Sequence, residues 1–142
     1  MEKSRITLNN SNCLILGFGR IGKILSKMLS GIGANVYCEA RKNSDIAWIK
    51  SFGYTPINLE DLDEYLYKFD FIFNTIPHLI LDAKRLELIN KECLLIDLAS
   101  KPGGIDFQKA NEMGLQTEWA LALPGKVAPK TAAKYLYDVI IK

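Results

Sequence analysis

The 142-residue chain sets 18 Lys and Arg against 16 Asp and Glu, and a net charge of +2 is too small to mark a nucleic-acid or acidic-membrane binder. Hydrophobic residues at 49% and charged residues at 24% are ordinary for a globular chain, and the length suffices for one domain with its own core. No apolar run approaches the roughly 18 residues of a membrane span, and Met1-Glu2-Lys3-Ser4 does not open a signal peptide, so a cytoplasmic setting is expected.

The first predicted element is the apolar run Cys13-Leu14-Ile15-Leu16, of strand length. Gly17-Phe18-Gly19-Arg20-Ile21-Gly22 follows directly, and behind it Ile21, Leu25, Met28, Leu29 and Ile32 form a stripe at helical spacing. A lone G-x-G-x-x-G is weak; between a strand and a helix it is a dinucleotide-binding fingerprint. In that pattern Gly17 makes the tight turn, Gly19 admits a pyrophosphate to the backbone, and Gly22 lets the helix pack on its strand. The N–H groups of the helix start then hold the phosphates.

Asn35 to Glu39 reads as the second strand, and Ser44 is placed to cap a short helix carrying Ile46, Ile49 and Phe52, ended by Gly53. Tyr54 to Ile57 reads as a third strand. Asn58 can cap a helix with Leu62, Tyr65, Leu66 and Phe69 on one face. Phe71 to Asn74 is the fourth strand, Leu86 and Ile89 anchor a further helix, and Cys93 to Asp97 is the fifth strand. Asp106 caps a helix with Phe107, Ala110 and Met113 inward, Leu115 to Trp119 forms a sixth strand, and Pro129 starts a last helix with Ala132, Leu136, Val139 and Ile140 in a stripe. Continuous apolar strands alternating with helices predict an α/β fold: a Rossmann-type, doubly wound parallel sheet of about six strands, ordered 3-2-1-4-5-6. The domain is expected over residues 12–142, with 1–11 as the end of a linker or helix. Cys13, Cys38 and Cys93 lie in strand-like runs without metal-ligand spacing, so they read as core thiols in a reducing compartment, and no metal is expected.

Candidate ligand contacts sit at the strand ends. Glu39 lies near the offset at which a carboxylate receives the ribose hydroxyls of NAD. A one-residue change of register hands that position to Arg41 and Lys42, two cations suited to the 2′-phosphate of NADP. They tip the expectation towards NADP, with NAD the alternative. Thr75 and Pro77 follow strand four, beside His78, which is the one histidine of the chain and a candidate acid–base group. Ser100 and Lys101 follow strand five in a glycine-rich loop and can meet a substrate carboxylate; plain solvated loop residues are the alternative. A proline-flanked loop, Leu123 to Thr131, offers Lys126 and Lys130 as further cations.

Four blocks together carry a more specific likeness: Leu16 to Gly22, Asn74-Thr75-Ile76-Pro77, Ile96 to Gly104, and Leu123 to Ala132. In this set, from about Ser11 to the C-terminus, the chain resembles the A subunit of the dipicolinate synthase family. The first block is shared with adenosylhomocysteinases and D-2-hydroxyacid dehydrogenases, whereas the third and fourth are the specific ones. The resemblance implies NAD(P)-linked oxidation of a dihydro- or tetrahydrodipicolinate-type ring to pyridine-2,6-dicarboxylate during sporulation. It implies a small dicarboxylate as substrate and, as partner, a flavoprotein-like B subunit. By position, Gly17, Gly19 and Gly22 would bind pyrophosphate, Thr75 and Pro77 would line the nicotinamide side, and Ser100 and Lys101 would lie near substrate. The family resembles a two-domain dehydrogenase, and residues 1–12 are too short for the further N-terminal domain. Turnover is therefore expected to need more than this chain.

Two other readings stay open. One is the cofactor domain of a different two-domain dehydrogenase, of the hydroxyacid or homocysteinase type; against it, no Asp/Glu–His couple is evident. The other is a nucleotide-sensing or scaffold domain without chemistry. The oligomeric state is open, a homo-oligomer included.

Overall fold

The computed structural model describes residues 8–119. They form a six-stranded, all-parallel sheet: β1 (Asn12–Leu16), β2 (Asn35–Glu39), β3 (Thr55–Ile57), β4 (Phe71–Asn74), β5 (Leu94–Asp97) and β6 (Gln116–Trp119). The strand order is β3-β2-β1-β4-β5-β6, the predicted doubly wound arrangement. The loop Leu123 to Thr131, with Lys126 and Lys130, the helix from Pro129, and most of the expected linker lie outside the described residues.

Alternation along the strands divides the core between the two faces of the sheet. Cys13, Ile15, Val36, Cys38, Phe71, Phe73 and Ile96 pack on one face with Leu25 and Leu29 of α1 (Arg20–Ile32) and Ile49 of α2 (Asn43–Ser51). Leu14, Leu16, Ile72 and Leu95 pack on the other with Leu62, Leu66, Phe69, Leu86 of α3 (Ala83–Leu86) and Ala110 of α4 (Phe107–Glu112). The inner strands β1, β4 and β5 are therefore covered on both sides, which is why their sequences read as apolar runs.

Three local expectations are corrected. The segment after Asn58 is not one α-helix but two 3-10 turns, Leu59–Glu64 and Leu66–Lys68, and Asn58 makes no side-chain cap bond. Leu62 and Leu66, one in each turn, are fully buried all the same. Helix α2 starts at Asn43 with Lys42 as its uncapped N-cap, so Ser44 lies inside it. Phe52 is 53% exposed and stacks on Trp48 at 5.5 Å instead of entering the core. Asp106 does cap α4, accepting from the Lys109 N–H at 3.1 Å, and Asp82 caps α3 by the same bond to Arg85 at 3.0 Å.

Cys13, Cys38 and Cys93 are free, buried thiols. Burial pushes Cys13 and Cys38 from 9.0 up to about 12 and raises Cys93 as well. A thiol held neutral in the fold but ionising near 9.0 when unfolded contributes stability below that pH, lost as the pH climbs towards about 12. At pH 8.5 iodoacetamide should leave the native chain unmodified and alkylate all three cysteines in denaturant. Rapid alkylation of the native chain would contradict this burial.

Candidate functional site

The carboxyl ends of β1, β2, β4 and β5 converge on one edge of the sheet, where open α/β sheets bind ligands. The turn from β1 into α1 is the tightest part. Gly17 has φ +97°, and a Cβ there would lie 2.5 Å from the Thr75 hydroxyl. A Cβ on Gly22 would lie 2.5 Å from the Gly17 carbonyl oxygen, so α1 approaches its own turn as only glycine permits. Gly19 is the opposite case: it is exposed, its φ of −87° suits any residue, and its Cβ would meet nothing within 4 Å. The turn is thus closed towards the core at Gly17 and Gly22 and open towards solvent at Gly19, which leaves the N–H groups of the helix start facing outward. Phe18 is buried against the α1 face of the sheet, while Arg20 is exposed and Ile21 is partly buried.

Glu39 ends β2, in register with Leu16, and is 1% exposed. Its Oε1 accepts from the Gly17 N–H at 3.1 Å. Its Oε2 is buried with no hydrogen-bond partner, and the nearest cation is Arg41 Nε at 3.9 Å. Burial raises the Glu39 carboxyl above its ordinary 4.5, against the opposing pull of Arg41, the Gly17 N–H and Arg85. An orphaned buried acceptor beside the glycine turn is what a ribose hydroxyl would satisfy. Lys42 is exposed at the start of α2.

Behind the turn, Thr75 donates its hydroxyl to the Leu16 carbonyl at 2.7 Å, so it braces the end of β1 with its one donor. Pro77 and His78 are exposed on the loop that follows.

Strands β4 and β5 end on Asn74 and Asp97, which face each other in register and are both fully buried. Asp97 accepts from Asn74 Nδ2 at 3.0 Å, from the Ala99 N–H at 3.0 Å and from the Gly104 N–H at 2.8 Å. The loop carrying Ser100 and Lys101 is wrapped around this carboxylate. A Cβ on Gly104 would collide with the Asn74 side chain, and one on Gly103 would lie 2.6 Å from Asp97 Oδ2. Gly104 also accepts from the Ile80 and Leu81 N–H groups at 2.9 and 2.8 Å, tying in the loop after β4. Ser100 and Lys101 stand exposed at the tip of this fixed base. Sequence reasoning picks out the tip and misses Asn74 and Asp97. Their signal is a polar residue closing each of two apolar runs, Phe-Ile-Phe-Asn and Leu-Leu-Ile-Asp.

Comparison with known proteins agrees with this geometry. Residues 2–103 match the family model of the D-isomer specific 2-hydroxyacid dehydrogenase NAD binding domain. The whole chain is 38% identical to the A subunit of dipicolinate synthase from Bacillus subtilis (strain 168), covering 48% of that protein. The crystal structure of the corresponding A subunit from Bacillus halodurans superposes with a TM-score of 0.83 at 36% identity, over 97% of this chain and 47% of that one. The Bacillus subtilis dipicolinate synthase structure gives 0.81 at 38% identity, over 94% of this chain and 45% of that one. The chain spans about half the length of these relatives.

Two substitutions separate ligand space from packing space. Gly19→Val should keep the thermal transition within a few degrees of the parent and weaken dinucleotide binding at least about tenfold, by filling the open side of the turn. Gly22→Ala should instead destabilise the fold by roughly 1–3 kcal/mol, because its methyl group meets backbone. Calorimetric titration and thermal melts read the two effects, and parent-like affinity in Gly19→Val would move the pyrophosphate away from this turn.

Proposed function

The chain belongs to the family of NAD-binding domains of D-isomer specific 2-hydroxyacid dehydrogenases, and from that premise we propose that it is the dinucleotide-binding part of an oxidoreductase of the dipicolinate synthase A type. The observation that carries the reading is the glycine turn, open at Gly19, set beside the orphaned Oε2 of Glu39. The first fits a pyrophosphate and the second a ribose hydroxyl. The full-length likeness of this chain to the A subunit of dipicolinate synthase supports the choice within the family.

In this reading the reaction is the oxidation of a dihydro- or tetrahydrodipicolinate-type ring to pyridine-2,6-dicarboxylate, in the cytoplasm of a sporulating cell and together with a flavoprotein-like B subunit. A bound nicotinamide dinucleotide supplies the hydride acceptor. The chain's own residues hold and orient. N–H groups from Gly19 to Ile21 face the pyrophosphate, and Glu39 accepts from the ribose. Thr75 keeps the end of β1 in place, and the Asp97-anchored loop presents Ser100 and Lys101 to a substrate carboxylate. Arg41 leans on Glu39 in the free protein and can turn to a 2′-phosphate when NADP binds. His78 remains a candidate proton acceptor by its chemistry; it has no hydrogen-bond or ion-pair partner among the described residues.

Lys101→Met tests the substrate end, in a complete two-domain enzyme with its B subunit. Losing a charge-assisted hydrogen bond costs roughly 1.5–3 kcal/mol, so kcat/KM should fall by about tenfold to a hundredfold with dinucleotide affinity unchanged. Full activity in that variant would remove Lys101 from the site.

A further inference from the structure

A polar cavity of about 410 Å³ opens beyond the tip of β2, lined by Ala40, Arg41, Asn58, Leu59, Glu60 and Arg85. Three separate parts of the chain meet there: the loop after β2, the end of β3 with the first 3-10 turn, and α3. Its two guanidinium groups differ in kind. Arg41 is 63% exposed, and among the described residues only Glu39 holds it, at 3.9 Å. Arg85 is 23% exposed and fixed at two nitrogens: Nε donates to Asp63 Oδ1 at 2.8 Å and Nη1 to the Ile80 carbonyl at 3.0 Å. A guanidinium already clamped loses little freedom on meeting an anion, and a carboxylate such as Asp63 at its back is how such forks are aimed.

Nothing local in the sequence marks Arg85. We propose that Arg85 is a specificity-determining residue at the adenosine end of the site, forming with Arg41 a receptor of two guanidinium groups for the 2′-phosphate of NADP. The proposal rests on the dinucleotide reading above and deepens it. Arg41 already serves Glu39, so a 2′-phosphate held by Arg41 alone would place two anions on one cation. Arg85, itself paired with Asp63, adds a second guanidinium whose fork is already aimed. Glu60, the acid among the lining residues, is exposed, and its repulsion is screened by solvent. Glu39 opposes a phosphate less than an exposed carboxylate would, since burial disfavours its charged form.

Calorimetric titration of the parent chain, Arg85→Met and Asp63→Asn with NADP and with NAD tests the assignment. The parent should bind NADP at least as tightly as NAD. Arg85→Met should weaken NADP about tenfold and NAD less than twofold, its retained NAD affinity certifying the fold. Asp63→Asn, which loosens the guanidinium without removing it, should show a smaller loss confined to NADP. In the parent, adenosine 2′,5′-bisphosphate should outbind 5′-AMP by a similar factor, reading the same contact without any substitution. Equal weakening of both cofactors in Arg85→Met, or no preference for the bisphosphate, overturns the role of Arg85. A parent that binds neither dinucleotide overturns the wider reading, and this assignment with it.

Discussion

The upper edge of this sheet depends on one buried carboxylate. Taking a carboxylate out of water costs several kcal/mol unless its oxygens are satisfied, and Asp97, fully buried, is satisfied by three N–H groups from three directions. One comes from the neighbouring strand through Asn74, and two come from the start and the end of the loop that follows. The carboxylate therefore fixes the loop after β5 as a closed unit and locks it to β4. Gly103 and Gly104 are consequences of the same packing, because the chain returns so close to Asp97 and Asn74 that no Cβ fits. A loop that looks free in sequence is in fact templated by the residue before it.

A second constraint of the same kind governs the other half of the edge. The Gly17 N–H points at Glu39, the Gly17 carbonyl lies under α1, and Thr75 bridges from β4 to the Leu16 carbonyl. Strands β2, β1 and β4 are thereby joined through polar contacts at the point where their apolar packing ends. Asn74 belongs to both arrangements by position, since it pairs with Leu16 in one register and with Asp97 in the next. The glycine turn and the loop after β5 are thus held at a fixed separation by one strand end. That is the pre-organisation an oriented transfer requires.

Period and composition carried the fold into the sequence almost intact. The strand order and the alternation of elements followed from apolar runs such as Cys13 to Leu16 and from the glycine fingerprint, because burial on both faces leaves no other pattern. Local form was less legible. Leu62, Leu66 and Phe69 announce a buried face, and the chain buries all three through a pair of 3-10 turns and the residue after them instead of one α-helix. The close turn after β1 was legible from Gly17 and Gly22, where no Cβ fits. Contacts that depend on the meeting of distant segments were not. Asp63 and Arg85 stand 22 residues apart, and nothing local marks them as partners.

Exposure sets the last condition on function. Lys101 and Ser100 stand in solvent on a rigid base, and an exposed ammonium paired with a carboxylate is worth only about 0–1 kcal/mol. The base cannot fold inward to bury them, because Asp97 already occupies the space beneath the loop. If Lys101 orients a substrate, the low-dielectric cover that strengthens its charge must come from a surface outside the loop. The same logic separates the two ends of the site. At the adenosine end proposed above the chain supplies its own partly buried cation, Arg85. At the proposed substrate end it supplies a fixed but open tip. Dinucleotide affinity should therefore be a property of this chain by itself, whereas orientation of the substrate should depend on whatever closes over Ser100 and Lys101.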